Sequence, residues 1–192
     1  MGRVYEIELR NVQIYQTDDG INVSVDIYMK GTKIAIYLDD GAGGDGCLKF
    51  CSNDNSKREF YYVAWKYFAS YPEIDTIILT EYSQSEFVKA KGNLPKVDYR
   101  DWPDEKIALF FVDKLIYLYQ IEEQYRNATD EGYKAIVVVR FYELKNSKWR
   151  PELIFYTDGT EDQFHKVIEK IEEEYKNYTV SLFRSAKDFI IG

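Results

Sequence analysis

The amino-acid sequence predicts an α+β protein with an N-terminal antiparallel β-meander, central helices, and a C-terminal β-hairpin followed by an amphipathic helix. Three observations support this fold class. Apolar residues alternate with polar ones through residues 3–51, recur at helical spacing over 60–71 and 107–125, and form a dense β-branched run at 134–144. The order of strands, helices, strands, helix and strand differs from the regular alternation of parallel α/β proteins.

The meander, of three to four strands, rests on one clearly alternating strand and the turns around it. Residues 21–28 alternate apolar and polar side chains, which is typical of a half-buried strand. The segment TDDG at 17–20 predicts a turn whose final glycine suits a positive φ, and KGTK at 30–33 predicts a tight hairpin. Residues 47–51 can return as a further strand, and the alternation breaks near Arg10-Asn11.

The period changes to that of a helix after residue 53. Aromatic and apolar residues fall at helical spacing over 60–71, and Pro72 ends the run. The segment at 75–82 predicts a short buried strand. Ser83-x-x-Glu86 has the form of a capping box and predicts a short helix that continues to about Lys91.

A second, longer helix and a hairpin follow. Pro103 suits the first turn of a helix, and the apolar side chains that follow it predict a long, well-buried helix through Tyr125. The β-branched segment 134–144 predicts a strand, and KNSKW at 145–149 turns the chain into a second strand at 151–157.

The C-terminal part of the chain predicts one more helix and one or two strands. Thr160-x-x-Gln163 forms a capping box that opens a clean amphipathic helix through Tyr175. A final short strand is predicted at 179–184, and the tail KDFII at 187–191 can form another.

Composition indicates an ordinary globular protein. The chain has 192 residues, of which 45% are hydrophobic and 30% charged. We expect a single α+β domain over residues 1–192, and a division into lobes at 1–92 and 103–192 stays open. Cys47 and Cys51, the only cysteines, cannot complete a zinc site with the single histidine and fit a reducing compartment.

The net charge constrains the partner and the location. A net charge of −8 and a pI of about 4.9 disfavour binding to nucleic-acid backbone and polybasic attachment to a membrane. The start of the chain lacks the apolar segment of a signal peptide, and no apolar run approaches the ~18 residues that span a bilayer. We therefore expect a cytoplasmic protein. Its oligomeric state cannot be predicted from these features.

The glycine-rich segment DDGAGGDG at 39–46 contains the pattern G-x-G-x-x-G. A dinucleotide fingerprint would need a helix after its last glycine, whereas a strand follows here, and the aspartates would repel phosphate. A P-loop would need Lys and Ser or Thr where Cys47-Leu48 stands. The hairpin shape suits a kinase-type loop, but the other kinase motifs are missing.

The same segment could hold a cation or simply connect two strands. Its aspartates are hard oxygen ligands, although their spacing matches no EF-hand loop. We favour an acidic, exposed and mobile loop at the tip of a hairpin, and whether it binds a cation stays open. The predicted binding residues in this loop are Asp39, Asp40, Gly43, Gly44 and Asp45.

No catalytic constellation emerges from the remaining residues. Glu143-x-Lys145 has the form of a nuclease E-x-K pair, but Asp75 lies too far upstream to be the metal-binding aspartate it needs. His165 lies toward the polar side of its helix, and no G-x-S-x-G accompanies it. The sequence predicts no catalytic residue, no metal ligand and no cofactor.

Aromatic residues make up 17% of the chain, with 18 tyrosines among them. Tyrosine combines a large apolar ring with a polar end, which suits binding surfaces, although a coding bias also accounts for its frequency. Tyr62 and Trp65 on the first helix and Trp149 in the second hairpin are the predicted aromatic binding residues. Such a surface suits a protein partner or the stacking of a small nucleotide-like ligand.

The segment IYMKGTKIAIYLDDGAGGDG, within about residues 20–50, resembles small uncharacterised proteins of phages and mobile elements. In those proteins a G-x-K hairpin strand runs into an Asp-Gly-x-Gly-Gly loop. The resemblance implies a phage accessory protein, a class that includes inhibitors of bacterial defence. Our leading hypothesis is a non-enzymatic interaction protein that binds and inhibits a host protein or its nucleotide-like signal. The alternative is a metal-dependent enzyme of nucleotide or nucleic-acid metabolism.

Overall fold

The structure is a computed structural model, and it describes residues 3–18, 20–42, 46–51, 54–70, 88–91, 101–141, 152–174 and 178–191. It confirms a mixed α+β fold with an N-terminal antiparallel meander of five strands, central helices, and a small C-terminal antiparallel sheet with a helix. The described elements are, in chain order, β1 (Arg3–Val4), β2 (Ile7–Thr17), β3 (Gly20–Met29), β4 (Thr32–Asp39), β5 (Cys47–Phe50), α1 (Asp54–Ser70), β6 (Val88–Lys91), α2 (Asp104–Asp130), β7 (Ala135–Phe141), β8 (Glu152–Thr157), α3 (Glu161–Glu174), β9 (Tyr178–Phe183), a 3₁₀ helix (Ala186–Phe189) and β10 (Ile190–Ile191).

The chain divides into two compact units. Unit 1 comprises Met1–Ser70, Tyr99–Tyr119 and Ile190–Gly192, and unit 2 comprises Tyr71–Asp98 and Gln120–Phe189. The single domain expected over residues 1–192 stays a prediction.

Unit 1 contains a six-stranded sheet in the order β10-β1-β2-β3-β4-β5. All neighbouring strands are antiparallel except β1 and β10, which are parallel. Lys30 and Gly31 have φ values of 52° and 77°, which is the pattern of a two-residue type I′ turn and confirms the predicted hairpin. The first predicted strand is divided by a turn at Tyr5, where φ is 52°, so that the meander gains a short additional strand.

The irregularity predicted near Arg10-Asn11 is present as a shift in the β2–β3 register between Arg10 and Gln13. Asn11 has a φ of 51°, and its Nδ2 donates a hydrogen bond to Asp26 Oδ2 over 2.8 Å. The Lys33 ammonium lies 2.6 Å from Asp26 Oδ1. Hydrogen bonds from Lys33 and then Asn11 lower the pKa of Asp26. The bulge is therefore held by polar side chains on β2, β3 and β4.

Aromatic rings form much of the core between α1 and the first part of α2. The ring centroid of Phe111 lies 5.8 Å from that of Phe60 and 5.3 Å from that of Tyr67. Phe68 stacks on Phe110 at 5.5 Å. Phe60, Tyr67 and Phe68 are fully buried, so most of the helical aromatic pattern in this segment belongs to the core.

Unit 2 contains an antiparallel sheet in the order β6-β9-β7-β8, with α3 on one face. Strand β7 is buried from Ala135 to Val139. The apolar side of α3 packs on this sheet through Phe164, Val167, Ile168 and Ile171, which confirms the predicted amphipathic helix.

The helix predicted to continue to about Lys91 is wrong over Val88–Lys91. This segment is strand β6, and it pairs antiparallel with β9 in the register Val88 to Ser181 and Lys91 to Tyr178. A continuous ladder with β9 satisfies the backbone groups that a short capped helix would otherwise have to satisfy. The strand predicted at 75–82 and the turn at 145–149 lie outside the described residues.

The C-terminal tail differs in part from the predicted strand at 187–191. Ala186–Phe189 is a 3₁₀ helix, and only Ile190–Ile191 pairs as a strand, with β1. The side chain of Asp188 accepts hydrogen bonds from the backbone N–H groups of Arg184 and Ser185, which fixes the turn before the strand.

Candidate functional site

A groove of about 410 Å³ opens in unit 1 between the end of β4 and the start of α2. We call it the β4–α2 groove. Its floor and one side are formed by Tyr37, Asp39 and Gly46. The other side is formed by the α2 residues and the two residues before that helix, chiefly Trp102, Glu105, Lys106, Phe110 and Asp113.

Tyr37 forms the floor of the groove and is held from two directions. Its side chain is 3% exposed, and its hydroxyl donates a hydrogen bond to Asp113 Oδ1 over 3.0 Å. A Cβ atom added to Gly46 would lie 2.2 Å from the Tyr37 hydroxyl oxygen. The chain can therefore cross the Tyr37 ring at this point only because residue 46 is glycine.

The segment that leads from β4 into the glycine-rich loop is fixed by its own side chains. Asp39 Oδ1 accepts a hydrogen bond from Gly41 N over 2.9 Å, and Asp40 Oδ1 accepts one from Ala42 N over 3.1 Å. Gly41 has a φ of 70°, and a Cβ atom there would lie 2.8 Å from the backbone nitrogen of Ile21. The first residues of the predicted mobile tip thus form two successive Asx turns packed on the neighbouring hairpin.

The aromatic side of the groove carries lysine ammonium groups. The rings of Trp102 and Phe110 meet edge to face, with their centroids 5.3 Å apart. Lys106 Nζ lies 4.0 Å from the centroid of the Trp102 ring, and Lys114 Nζ lies 4.2 Å from that of Phe110. Each lysine follows its aromatic residue by four positions. Phe110 and Lys114 are neighbours on one face of α2, whereas Trp102 lies two residues before the helix and contacts Lys106 in its first turn.

Carboxylates outnumber ammonium groups in the groove. Asp39, Glu105 and Asp113 line it together with Lys106, which gives a formal charge of 1 − 3 = −2 at neutral pH. Within the described part of the chain, Asp39 and Glu105 form no ion pair. Burial and then the charge of Glu105 raise the pKa of nearby Tyr61. The groove therefore combines an aromatic wall with a negative field.

Of the predicted loop residues, the structure describes Asp39 and Asp40. Asp39 lines the β4–α2 groove, and Asp40 is exposed and does not line it. Gly43, Gly44 and Asp45 lie outside the described residues, and so does Trp149. Their predicted roles in binding stay predictions.

The two aromatic residues predicted on α1 have different surroundings. Trp65 Nε1 donates a hydrogen bond to Asp104 Oδ1 over 2.7 Å, so the indole connects α1 to the first turn of α2. Tyr62 is 68% exposed on α1. Neither side chain lines the β4–α2 groove.

The groove residues on the α2 side, Trp102, Glu105, Lys106, Phe110 and Asp113, are not among the binding residues that the sequence predicts. The local signal in the sequence is the order of an aromatic residue, a proline and three charged residues at 102–106. The i, i+4 spacing of Trp102 and Lys106 predicts their contact, but not its position opposite Asp39.

A second, smaller cavity of about 280 Å³ lies in unit 2. The rings of Tyr133 and Tyr156 line it with their centroids 5.3 Å apart, and Tyr156 donates a hydrogen bond to Gln124 Oε1 over 3.1 Å. Lys134 and Asp158 balance each other in charge around it. It therefore offers less charge selectivity than the β4–α2 groove.

The described residues include no group of three His, Cys, Asp or Glu side chains that could hold a metal ion. His165 is exposed, and its Nε2 lies 3.8 Å from Glu161 Oε1 on the same helix. Cys47 and Cys51 are both free and exposed. Glu143 and Lys145 lie outside the described residues.

No protein-family model, no curated protein and no solved structure matches this chain. The resemblance of residues 20–50 to phage accessory proteins therefore stays a prediction. In the part of the chain that the structure describes, every helix is too short or too polar to cross a membrane.

Proposed function

We propose that this chain is a non-enzymatic interaction protein that binds another protein through the β4–α2 groove. The observation that carries this proposal is that the rings of Trp102 and Phe110 line the same groove as three carboxylates, with a formal charge of −2 for the whole groove. Half-exposed aromatic side chains are enriched at protein interfaces and often contribute most of the binding energy. The β4–α2 groove has a volume of about 410 Å³, which accommodates one or two side chains of a partner.

The charge of the groove favours a protein partner over a nucleotide-like ligand. The phosphates of a nucleotide would approach Asp39, Glu105 and Asp113, and the repulsion would oppose binding. A protein can instead present a cationic side chain. By the resemblance of residues 20–50, the partner we propose is a cytoplasmic host protein whose activity is inhibited on binding.

Affinity capture from a bacterial lysate tests this proposal with three charge-matched variants. Asp39→Asn/Glu105→Gln removes two charges from the groove, whereas Asp40→Asn/Glu131→Gln removes two charges from residues that do not line it. A third variant, Asp130→Asn/Glu131→Gln, changes neither the groove nor the glycine-rich loop and is the reference control. We expect this reference control to capture the same protein as the native chain. The groove variant should bind that protein, once purified, at least about tenfold more weakly.

Capture of the same protein with equal affinity by the native chain, the groove variant and the reference control would contradict the proposal. A thermal shift produced by Mg²⁺ or Mn²⁺ would instead favour the metal-dependent enzyme, because a ligand that binds the folded state raises its melting temperature.

A further inference from the structure

We propose that the β4–α2 groove is an arginine-binding site, in which a guanidinium group from the partner replaces the Lys106 ammonium on the face of Trp102. This inference rests on the proposed function, because it identifies the chemical group of the partner that the groove binds. It follows from three features of the described residues: a cation already placed on the ring, carboxylates without an ion pair, and the shape of the groove.

The first feature is the position of Lys106. Its Nζ lies 4.0 Å from the centroid of the Trp102 ring, which is within the ~6 Å at which a cation is attracted to an aromatic face. Lys106 is exposed and its side chain is long and flexible, so it can turn away into solvent. The face of Trp102 is thus a cation site that the chain itself occupies and can vacate.

The second feature is a pair of carboxylates in the groove. Asp39 and Glu105 line the same groove and form no ion pair with the described residues. An ammonium group is a compact, strongly hydrated charge, whereas guanidinium is planar and carries five N–H donors in its plane. A guanidinium group can therefore stack on Trp102 and donate hydrogen bonds to carboxylates at the same time. The ammonium group of Lys106 is less suited to this combination.

The third feature is the way in which Tyr37 is fixed beside the groove. A Cβ atom at residue 46 would collide with Tyr37, so the backbone at Gly46 packs directly against that ring. The Tyr37 hydroxyl holds Asp113 Oδ1 at 3.0 Å and keeps that carboxylate at the groove wall. A long side chain with a charged, flat end fits such a site better than a short or bulky one.

Titration with three matched peptides tests the inference. The peptides are acetyl-Gly-Xaa-Gly-amide with arginine, lysine or citrulline as Xaa, and the readout is the indole N–H resonance of Trp102, assigned with Trp102→Phe. The arginine peptide should shift this resonance saturably. The neutral citrulline peptide has nearly the same shape, and its affinity should be at least about tenfold lower than that of the arginine peptide. The lysine peptide should bind with intermediate affinity.

Two lysine variants separate displacement of Lys106 from a general effect of charge. Lys106→Met removes the internal competitor, and Lys166→Met removes the same charge from an exposed residue on α3 that does not line the groove. The arginine peptide should bind about two- to fivefold more tightly to Lys106→Met than to Lys166→Met. Equal affinities for the two variants, or equal binding of arginine and citrulline peptides, would overturn the inference.

The outcome for the arginine site can be told apart from the outcome for the proposed function. A partner that needs the groove but keeps its affinity after each of its arginines is replaced by methionine overturns the arginine site alone. If the arginine peptide binds while Asp39→Asn/Glu105→Gln captures the same protein as the native chain, the proposed function fails and the arginine site stands.

Discussion

At the scale of single residues, close approaches explain two glycines of the G-x-G-x-x-G pattern. Gly41 packs on the backbone of Ile21, and Gly46 packs on the ring of Tyr37. Neither position leaves room for a Cβ atom, so both glycines are required by packing in the fold itself. Gly46 also lines the β4–α2 groove together with Tyr37.

The stability of the protein in alkali should depend on Tyr178. This side chain is fully buried, and its hydroxyl donates a hydrogen bond to Glu172 Oε1 over 2.9 Å. Burial and then Glu172 raise the pKa of Tyr178. Its contribution to the free energy of unfolding is therefore complete below the unfolded pKa of about 10 and is lost as the pH rises above that value.

Urea unfolding followed by far-ultraviolet circular dichroism at about pH 7 and at about pH 11 checks this dependence. Tyr178→Phe should cost about 1 kcal/mol at neutral pH, through the lost hydrogen bond, and should lose less stability than the native chain in alkali. Tyr62→Phe is the control, because Tyr62 is 68% exposed. An equal loss in alkali for the native chain and Tyr178→Phe would contradict this assignment.

At the scale of elements, the start of α3 shows a capping arrangement that differs from the predicted box. Thr160 Oγ1 accepts a hydrogen bond from Gln163 N over 3.4 Å, as the box requires. The backbone N–H of Thr160 is bound by Asp158 Oδ1 at 2.9 Å, and the Thr160 hydroxyl also donates to that oxygen over 2.7 Å. These hydrogen bonds from Thr160 lower the pKa of Asp158. Asp158 therefore accepts the backbone N–H that, in a capping box, the side chain of Gln163 would accept.

Replacing these residues one at a time should distinguish the two capping arrangements. Asp158→Ala should reduce the free energy of unfolding, and Gln163→Ala should reduce it less. Thr160→Ser keeps a hydroxyl and serves as the control for Thr160→Ala. Thermal unfolding at neutral pH measures all four variants, and a larger loss for Gln163→Ala than for Asp158→Ala would restore the predicted box.

Elements whose stability depends on their own pattern were predicted well, and those that depend on distant partners were not. The alternation of β3 and the amphipathic face of α3 define which side is buried, and both are present as predicted. Strand β6 carries a helix-opening signal ahead of it, yet it forms a ladder with β9, about ninety positions later in the chain. No local pattern encodes that pairing.

At the scale of the whole molecule, the candidate site also depends on residues that lie far apart in the chain, which local sequence patterns do not predict. Asp39 was predicted as a binding residue because its loop is acidic and glycine-rich, and it does line the groove. Trp102, Phe110 and Asp113 come from a segment more than sixty positions away, and the packing of α2 beside the end of β4 brings them together. The sequence therefore predicts one carboxylate of the groove, Asp39, but not the aromatic and acidic residues that α2 contributes.

The net charge of the chain adds a prediction about the kinetics of binding. The chain carries a net charge of −8, and the β4–α2 groove has a formal charge of −2, so a cationic surface of a partner is attracted before contact. Salt screens this attraction, with a Debye length that falls from about 10 Å at 0.1 M to about 3 Å at 1 M. Association should therefore be slowed by salt more strongly than dissociation is changed.

Stopped-flow association with the captured partner measures this effect between about 0.05 M and about 0.5 M NaCl. The association rate constant of the native chain should fall about tenfold or more over this range, while the dissociation rate constant changes much less. Asp39→Asn/Glu105→Gln should show a shallower salt dependence than Asp130→Asn/Glu131→Gln, although both variants have the same net charge. Equal slopes for the two variants would mean that the attraction comes from the overall charge of the protein and not from the groove.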